Sequence, residues 1–224
     1  MQVDAQILVR TPLFRGTTPE QAVSMLDCLG AQKRSYLKDE RILRMGDVTE
    51  SLGLVLKGSV CIESVDVWGN VSILGHVGLG RVFAETYAAV PNEPLMVDVV
   101  ALEDTQVLFL NINRILTTCS SSCEHHARIT RNLLAIFAQK NLGLSRRVFV
   151  SAPKTIRGKL LSFLSFESNY HGSAEFDIGF NRQELADYLG VDRSAMSAEL
   201  GRMQREGILE TSRCHFRLLD ATVF

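Results

Sequence analysis

The 224-residue sequence lacks several features that would assign it to an obvious functional class. It has no charge imbalance, because 24 Lys and Arg residues face 25 Asp and Glu residues, so any DNA-binding surface must be a local cluster of cations. No apolar run approaches the roughly 18 residues that a membrane helix needs. The five cysteines are scattered and odd in number, which argues against a disulfide framework. Since the N-terminus also lacks the order of a secretory signal, we expect a cytoplasmic protein with no membrane partner.

Motifs that mark the common enzyme classes are missing as well. The sequence has no P-loop, no Gly-x-Ser-x-Gly element and no His-Glu-x-x-His element. The glycines at 78 and 80 fit a strand corner better than a dinucleotide-binding loop. We therefore expect a protein that is not an enzyme and whose function lies in binding.

Two different periodicities divide the chain. From Asp39 to Leu110, apolar and polar residues alternate in short runs interrupted by glycines, which predicts a small antiparallel β-barrel. From His125 to Val150, apolar residues recur every three or four positions without a proline, which predicts one long helix. Ser151-Ala152-Pro153 interrupts this helix and predicts a hinge. The predicted domains are a barrel over 1–122, a helix over 123–151 and a third domain over 152–224.

The long helix carries an apolar stripe that must be buried against another surface. A second copy of the same helix would bury it, which predicts a homodimer; packing along the chain's own barrel is the alternative. The residues predicted to form the dimer contact are Ile129, Leu133, Ile136, Phe137, Lys140 and Leu144.

The most informative motif lies within residues 180–209. Asn181 followed by Glu184 predicts a capping box at the start of a short helix. Gly190 permits a tight turn, and Asp192 is a good N-cap for a second helix. Two short helices joined by such a turn are typical of a helix-turn-helix.

The exposed face of the second helix indicates what this motif binds. Its residues are small or hydrogen-bonding, as a helix in the major groove requires because its side chains must reach base edges. Residues 208–218 then alternate around Ser212-Arg213 and predict a two-stranded wing. The pattern predicts a winged helix-turn-helix that binds DNA, and a helical hairpin that binds only proteins is the alternative.

Three further segments complete a family resemblance: LVLKGSVCIE at 54–63, GLGRVFAE at 78–85 and KTIRGKLLSFL at 154–164. Together with the helix-turn-helix, residues 10–218 resemble the cyclic-AMP receptor protein/FNR (CRP/FNR) family of bacterial transcription regulators. The resemblance implies an α+β fold, with an N-terminal antiparallel β-barrel of the cyclic-nucleotide-binding, jelly-roll type, a long dimerisation helix and a C-terminal winged helix-turn-helix. It also implies a homodimer that binds a near-palindromic operator in double-stranded DNA, with RNA polymerase as a candidate partner.

Matching positions carry the family's DNA contacts onto this chain. The resemblance implies base reading by Arg193, Ser194 and Ser197. It implies backbone contacts at Arg182, Gln183, Asp192, Ala195, Ser212 and Arg213, with the main-chain N–H groups acting at Asp192 and Ala195. Ser194 replaces a glutamate of many members, and Ala198 replaces an arginine, so we expect an operator that differs from the best-known half-sites.

The effector pocket departs from the cyclic-nucleotide pattern. Glu85 matches the glutamate that holds the ribose in such relatives, but Leu95 and Met96 stand where an Arg-Ser pair holds the phosphate. Two apolar side chains cannot neutralise a buried phosphate. The sequence therefore predicts an unidentified small-molecule effector other than cyclic AMP, with an apolar or aromatic body. The alternative is that Leu95 and Met96 are core residues of a vestigial pocket.

A metal- or redox-sensing function is a further alternative. An FNR-type iron–sulfur cluster is not expected, because Cys28 is the only cysteine before Asp39. Cys119, Cys123, His125 and His126 lie close together in sequence and could bind a metal or form a disulfide. Their spacing is not that of a tight zinc site, so we predict a polar loop there and no bound metal or fixed cofactor.

Overall fold

The computed structural model describes residues 3–65, 68, 69, 71–117 and 124–219. The chain forms two compact units, Met1–Ala138 and Gln139–Phe224. The division falls within the long helix, whereas the sequence predicted boundaries at each end of it. None of the helices in these ranges is both long and apolar enough to cross a membrane.

The first unit combines β-strands with short helices. Its helices are α1 (Ala5–Val9), α2 (Pro19–Cys28), α3 (Glu85–Ala89), α4 (Ile112–Leu116) and the first part of α5 (Glu124–Ser151). Its strands are β1 (Gln32–Tyr36), β2 (Arg41–Leu43), β3 (Ser51–Lys57), β4 (Val60–Val65), β5 (Val71–Val77), β6 (Val82–Phe83), β7 (Asp98–Ala101) and β8 (Thr105–Asn111).

The strands form two antiparallel four-stranded sheets. Their orders are β1-β8-β3-β6 and β2-β7-β4-β5. Side chains from both sheets, among them Val55, Val99 and Val107, share one buried cluster, so the sheets pack face to face. A Cβ atom at Gly53 would overlap the Phe83 ring, so the strand passes close to this ring only because glycine is there. The predicted antiparallel β-domain is confirmed.

Strand β3 is buried on both faces, which its alternating sequence did not predict. Val55 belongs to the cluster between the sheets, whereas Leu54 and Leu56 belong to a second core on the other side. Helix α2 contributes Met25 and Leu26 to this second core. The helices therefore cover the face of β3 that would otherwise meet solvent.

Helix α5 uses part of its apolar stripe within the same chain. Ile129 and Leu133 are 0% and 1% exposed and belong to the core formed with α2 and β3. Ile136 and Phe137 are partly buried against this core. The prediction that Ile129 and Leu133 contact a second copy is therefore wrong, because both side chains already lie in the core of their own unit.

The second unit contains the remaining helices and a small sheet. Its elements are α6 (Ile156–His171), β9 (Glu175–Asp177), α7 (Arg182–Leu189), α8 (Arg193–Arg205), β10 (Leu209–Ser212) and β11 (His215–Leu218). The sheet has the order β10-β11-β9 and is antiparallel. The sequence predicted only two of these strands, since β9 is a three-residue strand with one buried side chain, Phe176.

Candidate nucleic-acid interface and effector pocket

The predicted capping box fixes the start of α7. Asn181 Oδ1 accepts hydrogen bonds from the backbone N–H groups of Gln183 and Glu184 at 2.9 and 3.0 Å. The Asn181 N–H donates to Glu184 Oε2 at 2.7 Å. These three bonds satisfy backbone groups that a helix start leaves without partners.

The turn between α7 and α8 follows the predicted chemistry. Gly190 has φ 61° and ψ 51°, in the left-handed region that favours glycine. Asp192 then caps α8, and its Oδ1 accepts the Ala195 N–H at 2.8 Å. This bond occupies the Ala195 N–H, which is therefore not available to a DNA phosphate as predicted.

The inner face of α8 holds the helix against the rest of the unit. Met196, Leu200 and Met203 are 0%, 3% and 0% exposed. They belong to one core with Leu185 and Leu189 of α7. This core presents the opposite face of α8 to solvent, since helix positions related by three or four residues share a side.

The opposite face of α8 contains the predicted base-reading residues. Arg193, Ser194, Ser197 and Ala198 are all exposed. Ser194 Oγ donates to Asp192 Oδ1, and Ser197 Oγ donates to the Arg193 carbonyl oxygen at 2.9 Å. Both hydroxyl oxygens keep lone pairs that can accept hydrogen bonds from base amino groups. The face thus offers one guanidinium donor and two acceptors.

Asp192 adds a negative charge beside this face. The hydrogen bonds from the Ser194 hydroxyl and the Ala195 N–H hold the pKa of this fully exposed carboxyl below its ordinary value of 3.8. Asp192 is therefore ionised at neutral pH, and a carboxylate repels phosphate. Its side chain shapes the start of α8 and is unsuited to a contact with the DNA backbone.

Arg182 lies between α7 and the small sheet. Its Nη2 donates to Thr211 Oγ1 at 2.7 Å, and its guanidinium carbon lies 5.0 Å from the centre of the Phe216 ring. Desolvation by these neighbours lowers the pKa of Arg182. Gln183, the next predicted backbone contact, is exposed and donates to Asp187 Oδ1 at 2.9 Å. Arg182 therefore has a structural role that the sequence did not predict.

The wing presents its two predicted residues to solvent. Ser212 is paired with His215 across the β10–β11 hairpin, and Arg213 and Cys214 form its turn. Arg213 adopts φ 52°, the left-handed conformation that such two-residue turns require. Ser212 and Arg213 are both exposed, so their side chains are available to a ligand.

Two cations of α6 position the helix-turn-helix, and sequence reasoning missed both. Arg157 forms ion pairs with Glu199, at 3.0 Å, and with Glu206. Lys159 Nζ donates to the Leu189 carbonyl oxygen at 2.9 Å, at the C-terminus of α7. Both lie in the segment KTIRGK, where a positive charge every two or three residues was the available signal.

The predicted effector residues occupy different environments. Glu85 is 3% exposed in the first turn of α3, directly after Ala84 in the left-handed conformation. Leu95 is 2% exposed, and its N–H donates to the Asp47 carbonyl oxygen at 2.8 Å. Met96 is 67% exposed. Leu95 and Met96 therefore do not form a joint apolar wall, because one side chain is in the core and the other is at the surface.

The predicted metal candidates can be located only in part. Cys119 and Cys123 lie outside the described residues. His125 is half-buried, and His126 is 5% exposed. Within the part of the chain that the structure describes, no group of three or more His, Cys, Asp and Glu side chains could hold a metal ion.

Comparison with known proteins finds a matching domain family in each of the two units. Residues 33–122 match the cyclic nucleotide-binding domain, and residues 158–223 match the Crp-like helix-turn-helix domain. The chain is therefore a DNA-binding transcription regulator with an effector-binding domain, and it is not an enzyme. It belongs to the CRP/FNR family of transcription regulators.

Individual relatives span nearly the whole chain. Transcriptional activator protein FnrA of Stutzerimonas stutzeri is 24% identical over 212 residues, covering 90% of this chain and 82% of that protein. Electron transport regulator A of Shewanella oneidensis is 21% identical over 209 residues, covering 88% and 79%. The crystal structure of the Thermus thermophilus catabolite activator protein is 25% identical with a TM-score of 0.52, covering 95% of this chain and 96% of that one.

Proposed function

We propose that this regulator acts as a homodimer that reads a near-palindromic operator through α8, under the control of a small-molecule effector other than cyclic AMP. The exposed face of α8 is the observation that carries the proposal. It combines one arginine with small hydrogen-bonding residues, and the opposite face is anchored by Met196, Leu200 and Met203. A helix of this kind can enter the major groove without steric conflict.

Base reading is assigned to three residues of this face. The Arg193 guanidinium is suited to a bidentate contact with O6 and N7 of a guanine. Ser194 and Ser197 would accept hydrogen bonds from adenine or cytosine amino groups, because their own protons are directed to Asp192 and to the Arg193 carbonyl. Ser212 and Arg213 of the wing, with Gln183, would contact phosphates, which set orientation and not sequence.

Dimerisation is assigned to a solvent-exposed seam of α5. Leu134, Ala138, Asn141, Ser145 and Val148 are exposed and follow one another at steps of four and three residues. This is the spacing of a two-stranded coiled coil. Five large apolar side chains of α5 flank or form the seam and are more than half exposed: Leu134, Leu142, Leu144, Val148 and Phe149. A second copy would cover them.

The effector proposal depends on the chemistry at position 95. A buried leucine there provides neither charge nor hydrogen bonds for a cyclic phosphate. Glu85 retains a buried carboxyl group in the first turn of α3. We infer that the barrel domain binds a small molecule other than cyclic AMP, with a polar group for Glu85.

Selection of bound sequences from a random double-stranded DNA pool tests the proposal. The purified protein should enrich an inverted repeat whose half-site centres are about 34 Å apart, one turn of DNA. Arg213→Ala should enrich the same repeat more weakly, because it loses only a phosphate contact. The selection is run at low salt, where phosphate contacts are strongest, once without additions and once with small molecules extracted from cells. The proposal fails if no repeat is enriched under either condition.

A further inference from the structure

A small pocket of the first unit lies where β1 and β3 end and β8 begins. It has a volume of about 260 Å³ and is lined by Ser35, Tyr36, Leu37, Lys57, Asp104, Thr105 and Gln106. None of these residues belongs to α5, so the proposed dimer seam does not include the pocket. Its volume lies just below the range of about 300–1,000 Å³ for drug-sized ligands, which suits a smaller metabolite.

A β-bulge in β3 determines which side chains stand together in this pocket. The register of β3 against β8 shifts between Val55 and Lys57, so that Lys57 pairs with Gln106. The shift is that of one extra residue in β3, and such a bulge re-aims the side chain that follows it. On the other side of β8, Gln106 pairs with Ser35 of β1. Because paired positions share one face of a sheet, Ser35, Gln106 and Lys57 form a polar row across three strands.

The turn after β3 brings Asp104 to the same end of the sheet. Gly58 has φ 76°, in the left-handed region that favours glycine. A Cβ atom there would lie 2.6 Å from Thr105 Oγ1 and 2.9 Å from the Asp104 carbonyl oxygen, so only glycine permits this approach. Thr105 Oγ1 lies 3.1 and 2.7 Å from the carbonyl oxygens of Ser59 and Glu103. The buried Thr105 hydroxyl is thus satisfied, and the segment that carries Asp104 is held beside the end of β3.

Two opposite charges line the pocket without pairing with each other. Within the described residues, neither Lys57 nor Asp104 takes part in an ion pair. Asp104 Oδ1 accepts the Lys38 N–H at 3.3 Å, which leaves Oδ2 for another donor. The Ser35 hydroxyl and the Gln106 amide likewise have no hydrogen-bond partner in the described part of the chain. The pocket therefore offers a separated cation and anion together with two neutral hydrogen-bonding groups.

We propose that this pocket binds a free α-amino acid with an apolar side chain. Its carboxylate would meet Lys57 and accept hydrogen bonds from the polar row, and its ammonium would meet Asp104. Its side chain would cover Leu37, which is 70% exposed. A simple anion would be repelled by Asp104 and a simple cation by Lys57, so a ligand with both charges fits best. The site is separate from Glu85 and from α8, so this proposal and the proposed function can fail independently.

L-Valine, L-leucine and L-methionine are suitable probes because they carry both charges and an apolar side chain. Titration calorimetry on the full chain should show one saturable site per chain for at least one of them. Analogues of that probe without the ammonium or without the carboxylate charge should bind at least about tenfold more weakly, since each loses a charge-assisted hydrogen bond. For leucine these analogues are 4-methylpentanoate and L-leucinamide.

Two variants with matched controls test the two charged contacts. Lys57→Gln and Asp104→Asn should each weaken binding of the amino acid by at least about tenfold, for the same reason. Lys38→Gln and Asp39→Asn remove the same charges from exposed positions that do not line the pocket, and unchanged affinity is expected. Thermal melts of each variant verify that it is folded.

Ser35→Trp tests the location of the site, because residue 35 is exposed and lines the pocket, which the indole ring would fill. We expect this variant to fold, since tryptophan is well accepted in strands, and to lose binding of the amino acid. Absence of saturable binding with all three probes, or unchanged affinity in Ser35→Trp, would overturn the proposal. Equal losses in Lys57→Gln and Lys38→Gln would also overturn it, since the effect would then be one of overall charge.

Discussion

Single side chains decide how the DNA-binding unit is held together. Arg182 contacts Thr211 and Phe216, so it links the start of α7 to the small sheet that carries the wing. Arg157 forms ion pairs with Glu199 in α8 and with Glu206, the residue that directly follows α8. The sequence predicted Arg182 as a contact to the DNA backbone, but its side chain also holds α7 against the small sheet. Arg157, for which the sequence predicted no role, holds α8.

Removing Arg182 should therefore reduce stability as well as DNA affinity. Arg182→Ala should lower the free energy of unfolding by about 1–2 kcal/mol, since it removes a hydrogen bond and a cation–π contact. Arg182→Lys should restore little, because a lysine lacks the planar fork that stacks on Phe216. Urea unfolding of wild type, Arg182→Ala and Arg182→Lys measures these differences in the free energy of unfolding. Unchanged stability in Arg182→Ala would show that the side chain acts only on DNA.

Asp192 should make the melting temperature depend on pH. Its pKa is lower in the folded chain than its ordinary value of 3.8, so its contribution is present above pH 3.8 and is lost as the pH falls through the folded pKa. Asp192→Ala should therefore melt a few degrees lower than wild type at pH 7, and the difference should shrink below pH 3.8. Asp192→Asn, which can still cap α8, should lie between them. A difference independent of pH would contradict this account.

At the scale of elements, α5 has two apolar sides with different partners. Leu133 is 1% exposed in the core of the first unit, whereas its neighbour Leu134 is 68% exposed. The two positions carry the same residue type, so they form a matched pair. Leu133 should contribute to the folding of the first unit, and Leu134 should contribute to the assembly of the dimer.

Leu133→Ala should cost about 2–5 kcal/mol of folding stability, as expected for a buried leucine replaced by alanine. Leu134→Asp should leave the barrel folded but dissociate the dimer and abolish operator binding. Analytical ultracentrifugation and chemical unfolding separate the two effects. A dimeric Leu134→Asp that binds DNA normally would exclude the seam of α5 as the dimer contact.

The sequence predicted most elements of the fold, but it could not assign the sides of α5. Periodicity shows that a stripe is apolar, yet Ile129 in the core and Leu134 in solvent are equally apolar. Strand β9 escaped prediction because three residues with one buried Phe176 give no measurable alternation. The capping box at Asn181 was predicted correctly, because such caps depend on local chemistry alone.

The candidate site was predictable to the same extent. The exposed face of α8 was evident from its residue types. Contacts between distant segments were not, because they depend on tertiary packing: Arg182 with Phe216 and Arg157 with Glu199 are separated by many residues in the chain. The separation of Leu95 and Met96 into core and surface has the same cause.

At the scale of the whole molecule, effector binding should be coupled to stability and to DNA binding. A ligand that binds only the folded state at 100 times its Kd adds about 2.7 kcal/mol. We expect no shift of the melting temperature with millimolar cyclic AMP, because the buried Leu95 side chain offers neither a charge nor a hydrogen bond to a cyclic phosphate. Differential scanning fluorimetry measures this. A saturable shift with cyclic AMP would contradict the proposed effector class.

The central claim is that α8 reads base sequence, and comparison of two arginine variants on the selected operator tests it most directly. Arg193→Ala should lose about 1–3 kcal/mol of discrimination between the operator and a variant with the contacted guanine replaced. Arg213→Ala should weaken binding to both DNAs alike and reduce the salt dependence by about one phosphate contact. Fluorescence anisotropy across a salt series gives both quantities. If Arg193→Ala keeps full discrimination, α8 does not read the operator as proposed.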